Sequence, residues 1–282
     1  MPESPEVQAL ADELDERLRG HEITAVDVVE FRTVKTRTEP PSALVGERVE
    51  SVARHGKLLD FSFATAHLVV SLGRHGWARY AADGPMDASD DGRPPALAIV
   101  EFDDGTVLEF TDAGEWVSLG MWVVDDPIAV PAVAKLGPDP ADPLFTRADF
   151  DAAVAGRRKQ VKAVLQEQES LAGIGNAYSD EILHTAKLSP IGHAAALDET
   201  ELDGLYASTV GVLSAAIGDR RGVPIDRLKA EKVASMRVHG RAGEACPVCG
   251  DTVRDFTFAS TTAQYCPTCQ TRGEALPLRS TD

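Results

Sequence analysis

The chain has 282 residues, 43% of them hydrophobic, and its 28 Lys and Arg against 45 Asp and Glu give a formal net charge of −17. That length has room for two domains and a smaller appendage. No apolar run approaches the roughly 20 residues that span a bilayer, and the start Met1-Pro2-Glu3-Ser4-Pro5-Glu6 lacks the basic and apolar stretches of a signal peptide. A cytoplasmic protein with no membrane contact and no disulfides is therefore expected.

A first helix is signalled by Ser4 as its cap, Pro5 and Glu6 in the first turn, and Val7, Leu10, Leu14 and Leu18 at helical spacing until Gly20. Residues 23–125 read mainly as β: a strand over 23–31, a short apolar run over 68–72, and runs over 97–102 and 106–110 flanking the turn Asp103-Asp104-Gly105. Pro127, Pro131, Pro138, Pro140 and Pro143 mark a linker. From about residue 147 the pattern turns helical. Asp198 and Glu201 form a capping-box signature, and Leu202, Leu205, Tyr206, Val210, Leu213 and Ile217 continue one apolar face.

All four cysteines lie in two CxxC knuckles, Cys246-Pro247-Val248-Cys249 and Cys266-Pro267-Thr268-Cys269. The stretch between them, 250–265, has a length suited to a β-hairpin joining two halves of a four-cysteine zinc site. Two residues between cysteines let one tight turn present both thiolates to a tetrahedral ion. No ligand position is left open, so one structural Zn²⁺ is expected; redox use of the thiols is the alternative.

A phosphate partner suits Ser170-Leu171-Ala172-Gly173-Ile174-Gly175-Asn176-Ala177-Tyr178, which precedes a helix. Gly175 lets backbone approach a ligand closely, the helix start adds free N–H groups, and Asn176 supplies an amide. Taken alone, such a turn is more often just a tight corner. The net acidity opposes strong non-specific binding of a polyanion, yet a site needs only a local positive field. Basic residues do cluster at Arg157-Arg158-Lys159 with Lys162, and at Arg237 and Arg241.

Five segments in order resemble the formamidopyrimidine-DNA glycosylase/endonuclease VIII family over essentially the whole length. They are Pro2-Glu3-Ser4-Pro5-Glu6-Val7; His55-Gly56-Lys57-Leu58-Leu59; Leu136-Gly137-Pro138-Asp139-Pro140; Leu171 to Tyr178; and Val238-His239-Gly240-Arg241-Ala242-Gly243-Glu244 running into the cysteines. The resemblance implies an α+β fold: a β-sandwich with a leading helix (1–126), a linker (127–146), a helix–two-turn–helix domain (147–236), a zinc-ribbon β-hairpin (237–272) and a tail (273–282). It implies a monomer acting on damaged DNA.

The resemblance also implies the chemistry. Removal of Met1 exposes the Pro2 amine as nucleophile. An α-amine has a reference pKa near 8 and Lys one near 10.4, so at pH 7 its neutral fraction is larger by on the order of several hundred. Attack on C1′ displaces the damaged base and leaves a Schiff base, from which β-elimination follows. Glu3 would serve as general acid, Glu6 would orient it, and Lys57, on a strand facing the nucleophile, would contact phosphate and donate a proton. Without the resemblance, Glu3 and Glu6 read simply as favourable first-turn residues and Lys57 as a surface charge.

Arg158, Lys162, Gly175 and Asn176 carry over as DNA contacts. An enzyme that everts its target base fills the hole with inserted side chains. Here the first such turn holds Arg74 where the family has Met, and the second, Asp112-Ala113-Gly114-Glu115-Trp116, has Trp116 and no paired arginines. The hairpin position that carries arginine in the family is Thr261, which implies mainly β- and little δ-elimination. The stretch 222–237 is short for the loop that caps oxidised purines. The rival reading is a damaged-DNA-binding protein that kept the scaffold and lost catalysis.

Overall fold

The computed structural model describes residues 1–36, 39–82, 93–258 and 261–276. Contacts divide the chain into two compact units, Met1–Lys135 with Arg220–Lys229, and Leu136–Asp219 with Ala230–Asp282. Residues 220–229, expected inside the helical domain, thus group with the first unit.

The first unit begins with helix α1 (Ser4–Leu18), which buries Val7, Leu10, Leu14 and Leu18 and stops at Arg19, before Gly20 turns the chain at φ +85°. Among the described residues eight strands follow: β1 (Ile23–Val28), β2 (Ser51–His55), β3 (Leu58–Ser62), β4 (His67–Ser71), β5 (Gly76–Ala81), β6 (Ala96–Phe102), β7 (Val107–Asp112) and β8 (Gly120–Val124). They form two antiparallel four-stranded sheets, in the orders β1-β6-β7-β5 and β2-β3-β4-β8. The strand expected over 23–31 ends three residues early, because Glu30 caps a short 3₁₀ turn by accepting the Arg32 amide.

Phe61 of β3 and Phe110 of β7 meet edge to face, with centroids 6.2 Å apart, and join the inner faces of both sheets in one core with α1, Ile225 and Leu228. The expected turn at Asp103-Asp104-Gly105 joins β6 to β7, with Gly105 at φ +85°.

The second unit contains helix α3 (Arg147–Val154), α4 (Val161–Gln166) and α5 (Asn176–Thr185); the short α2 (Pro131–Ala134) precedes it in the chain. Helix α6 (Glu199–Arg220) starts at the expected capping box, where the Asp198 amide donates to Glu201 Oε2 at 3.1 Å and the Glu201 amide to Asp198 Oδ1 at 2.9 Å. After α7 (Leu228–Ser235) come the hairpin β9 (Arg254–Phe258) and β10 (Thr261–Tyr265) and the short α8 (Pro267–Gln270). Residues 277–282 of the expected tail lie outside the described residues.

Phe61 is 2% exposed and bridges the two sheets, so Phe61→Ala is expected to cost about 3–5 kcal/mol in denaturant unfolding, with little change in slope. A cost below about 1 kcal/mol would show that this contact does not hold the sandwich together.

Candidate active site and metal centre

The head of α1 is built around carboxylates. Its cap is Glu3, and not Ser4 as expected. Glu3 has extended backbone, and its amide donates to Glu6 Oε2 at 3.1 Å. The Ser4 hydroxyl is instead buried inside the first turn without a hydrogen-bond partner among the described residues. The reason is position: a carboxylate at the third helical residue reaches back to the cap amide, whereas Ser4 already sits inside the helix. Glu6 is fully buried, and its Oε1 lies 2.7 Å from Nε of Arg220, which is 2% exposed. Arg220 is absent from the residues that the sequence singles out. Its only signal there is a basic residue in the last turn of a long helix, a place where most such side chains are solvated.

Lys57 lies in the two-residue turn joining β2 and β3, and so not on a strand as expected. Gly56 takes φ +57° ahead of it, which a tight hairpin turn requires of its first residue. Helix α1 lies along β2 in a definite direction: the Val52 amide donates to Asp15 Oδ1 at 2.7 Å, and Arg54 Nε to Gln8 Oε1 at 3.0 Å. Moving along β2 toward the turn therefore moves back along α1 toward its N-terminus. This direction carries half-buried Lys57 toward the end of α1 that bears Pro2, Glu3 and Glu6. Pro2 is buried, while Met1 before it is 52% exposed.

Two turns of the sandwich meet at Ser118. The Arg74 amide donates to Ser118 Oγ at 3.0 Å, and Asp112 Oδ2 accepts from the amides of Ser118 and Leu119 and from the Ser118 hydroxyl. Burial by itself would raise the Asp112 pKa; amides of Gly114, Ser118 and Leu119 outweigh it and hold the carboxyl below its usual range. Gly73 is required here, since a Cβ would lie 2.4 Å from the Ser118 carbonyl oxygen. The arrangement presents exposed Arg74 and, 81% exposed, Trp116 on neighbouring turns.

In the second unit Gly175 caps α5 and Asn176 begins it. The 136–138 strap closes over the preceding turn, with the Gly137 amide on the Gln168 carbonyl and the Ala172 amide on the Pro138 carbonyl. Asn176 Oδ1 accepts from Gln166 Nε2 at 3.0 Å, which fixes the amide and leaves its NH₂ to donate.

Lys162 corrects an expectation. It is 4% exposed, and its Nζ is committed to Asp180 Oδ1 at 2.5 Å, Ser179 Oγ at 3.0 Å and the Asn176 carbonyl at 3.2 Å. An ammonium so enclosed secures the start of α5 and is turned away from solvent, which opposes the expected phosphate contact. Arg157 and Lys159 both bond Glu167, each at 2.6 Å. Hydrogen bonds from Lys159 and Ser170, then Arg157, pull the Glu167 carboxyl down to about 2. Arg158 between them is exposed and has no carboxylate partner among the described residues.

The four cysteine sulfurs lie within 4.8 Å of one another. Individual separations are 3.3 Å for Cys249–Cys266, 3.5 Å for Cys249–Cys269 and 3.9 Å for Cys246–Cys269. Zn–S bonds of about 2.3 Å in a tetrahedron place sulfurs about 3.8 Å apart, so the set fits one structural zinc ion. Burial pushes the Cys266 thiol up to about 11 and Cys269 higher still; a dication favours the thiolates that burial opposes. Thr261 opens β10 opposite Phe258, and its side chain lies outside the described residues.

With this geometry in view, three family models match: the formamidopyrimidine-DNA glycosylase N-terminal domain over residues 1–116, the H2TH domain of the same enzyme over 136–226, and the zinc finger found in FPG and IleRS over 243–272. A formamidopyrimidine-DNA glycosylase of Geobacter metallireducens is 34% identical over 279 residues, covering 96% of this chain and 100% of its relative. An uncharacterized formamidopyrimidine-DNA glycosylase-like protein of Mycobacterium tuberculosis is 47% identical over 149 residues, 53% of this chain and 93% of its own.

Among solved structures, MutM (Fpg) from Thermus thermophilus superposes with a TM-score of 0.80 at 28% identity, covering 96% of this chain and 99% of that one. Lactococcus lactis Fpg in complex with FAPY-dG-containing DNA gives 0.82 at 27%, covering 95% and 99%. Fold and cysteine site together define an α+β protein with a zinc-finger hairpin. The chain belongs to the formamidopyrimidine-DNA glycosylase family.

Two outcomes follow from the ion pairs. Arg220→Met leaves the Glu6 carboxylate buried without its counter-ion and is expected to cost about 3–5 kcal/mol, much of it recovered when Glu6→Leu is added; equal losses in single and double variants would count against the pair. Glu167 has a depressed folded pKa, so its contribution is present above about pH 4.5 and fades as pH falls toward about 2. Being partly solvated, it is worth on the order of 1 kcal/mol. In urea titrations the gap between wild type and Glu167→Gln should close over that window; a gap unchanged with pH would contradict the assignment.

Proposed function

We propose that the protein is a base-excision-repair DNA glycosylase with an associated AP lyase, working through a Schiff base on Pro2. The observation that carries this reading is the run of α1 against β2, which directs Lys57 toward Pro2, Glu3 and Glu6. Family membership supports the glycosylase class. Exposed Met1 is open to an aminopeptidase, and its removal frees the proline nitrogen.

The neutral nitrogen attacks C1′ of the damaged nucleotide as the glycosidic bond breaks, the base leaves with a proton, and the opened sugar remains as an iminium on Pro2. That electron sink acidifies the 2′ carbon. Loss of its proton and departure of the 3′ phosphate oxygen complete β-elimination, and water then releases the amine. Glu3 supplies the proton to the leaving base or ring oxygen. Glu6 acts as a positioning residue, because its two oxygens are taken by the Glu3 amide and by Arg220. Lys57 neutralises phosphate beside the reacting sugar.

Damaged DNA is the substrate, its target everted at the cost of unstacking. Arg158 and the Gly175-Asn176 helix start hold phosphates, and Trp116 with Arg74 occupies the space left in the duplex. Thr261 brings no charge to the lesion, which favours β- over δ-elimination. The stretch 222–237 forms a turn and α7, with Ile225 and Leu228 in the core and the Ile225 carbonyl accepting from Trp77 Nε1 at 3.2 Å. A segment anchored in this way favours recognition that depends little on capping a purine.

Borohydride reduces an iminium to a stable amine, so incubation with abasic-site DNA and borohydride should give a covalent protein–DNA adduct. A variant with an uncleavable N-terminal extension, whose proline nitrogen is an amide, should give none while still binding DNA. An adduct of equal yield from the extended protein would sink the proline mechanism, and no adduct from the wild type would favour the catalytically inert DNA-binding scaffold.

A further inference from the structure

The cysteine hairpin is tied to helix α5 by contacts that the proposed chemistry does not use. His184, in the last turn of α5, is 3% exposed, and its Nε2 lies 3.3 Å from Cys246 Sγ, itself 3% exposed. The other ring nitrogen, Nδ1, is buried without a hydrogen-bond partner among the described residues. These two facts choose a tautomer. A proton on Nδ1 would bury an N–H with no acceptor and set the Nε2 lone pair against the sulfur's own lone pairs. A proton on Nε2 points a donor at the sulfur and leaves only an unmet lone pair, the smaller penalty.

His184 is not a further ligand. The four sulfurs by themselves form the mutually close set and close a tetrahedral shell. Neighbouring residues of α5 hold the same module. The Glu181 carboxylate accepts the amides of Arg237 and Val238 at 3.0 Å and of His239 at 2.9 Å. Beyond the helix end, Gln270 Nε2 donates to the Leu188 carbonyl, while its Oε1 accepts the Cys266 amide, both at 2.9 Å. One ligand from each knuckle, Cys246 and Cys266, is thereby held from α5 or the residues just after it.

We propose that His184 is a positioning residue for the zinc site: its Nε2–H donates to the Cys246 thiolate and fixes that knuckle on α5, so zinc affinity depends on a helix whose other end carries the Gly175-Asn176 turn. A hydrogen bond to a coordinated thiolate delocalises part of its negative charge and holds the sulfur at its ligating position. Partners of this kind typically change metal affinity by about 10–100-fold. The inference concerns the metal site only and stands independently of the glycosylase reading.

The experiment titrates the zinc-loaded full chain with a chromophoric chelator for wild type, His184→Phe and His184→Gln. His184→Phe fills the same space without a donor and is expected to bind zinc about 10–100-fold more weakly. His184→Gln, whose amide can donate, is expected to recover most of that loss. Cobalt(II) substitution should show a four-sulfur charge-transfer spectrum in wild type and both variants. Zinc affinity of His184→Phe unchanged from wild type overturns the proposal, as does a one-nitrogen, three-sulfur cobalt spectrum in wild type. Should His184→Phe not fold, nitrogen-15 NMR of the wild-type imidazole decides: Nε2–H supports the proposal and Nδ1–H overturns it.

Discussion

A carboxylate cannot remain ionised in a protein core without partners, because its desolvation costs several kcal/mol, and Glu6 is fully buried. Its two oxygens are met by the Glu3 amide and by Arg220, also buried. The consequences reach through the first unit. Because Arg220 must arrive from the end of α6, residues 220–229 group with the sandwich and bring Ile225 and Leu228 into its core. The Glu3 amide held by Glu6 ties the first turn of α1 to this pair. The nucleophile proposed for this protein is thus placed by a pair of charges that a solvent-exposed helix start would not need.

Several basic residues of this acidic chain are taken up by its own carboxylates and carbonyls. Lys162 is enclosed by Asp180, Ser179 and the Asn176 carbonyl, and Arg157 and Lys159 share Glu167. Arg79 pairs with buried Glu109 at 2.7 Å. These cations set the shape of the helical turn and of a sheet face. Of the cations in that helical turn, Arg158 is left exposed with no carboxylate partner among the described residues. Affinity built on few charges falls less steeply with salt than affinity built on many.

Much of this is legible in the sequence where local chemistry and pattern coincide. The Asp198–Glu201 capping box, the Asp103-Asp104-Gly105 turn and the two CxxC knuckles each fix their structure within a few residues, and all three stand as expected. The departures are tertiary in origin. Ser4 is an ordinary cap residue, but Glu6, paired inside the core with Arg220 over 200 positions later, claims the Glu3 amide instead. Lys162 reads as a phosphate ligand because nothing nearby in sequence reveals that Asp180 faces it. Lys57 is put on a strand by the family resemblance alone, and the two-residue turn after β2 places it between strands instead. His184 gives no signal at all, since a single histidine in a helix does not announce a cysteine more than 60 residues away.

In the proposed reaction one secondary amine, freed at the chain start, meets the anomeric carbon. Peptide mapping of the reduced protein–DNA adduct by mass spectrometry tests it most directly. The sugar remnant is expected on the N-terminal peptide, attached to the nitrogen of Pro2. A remnant found on Lys57 or on any other lysine would contradict it.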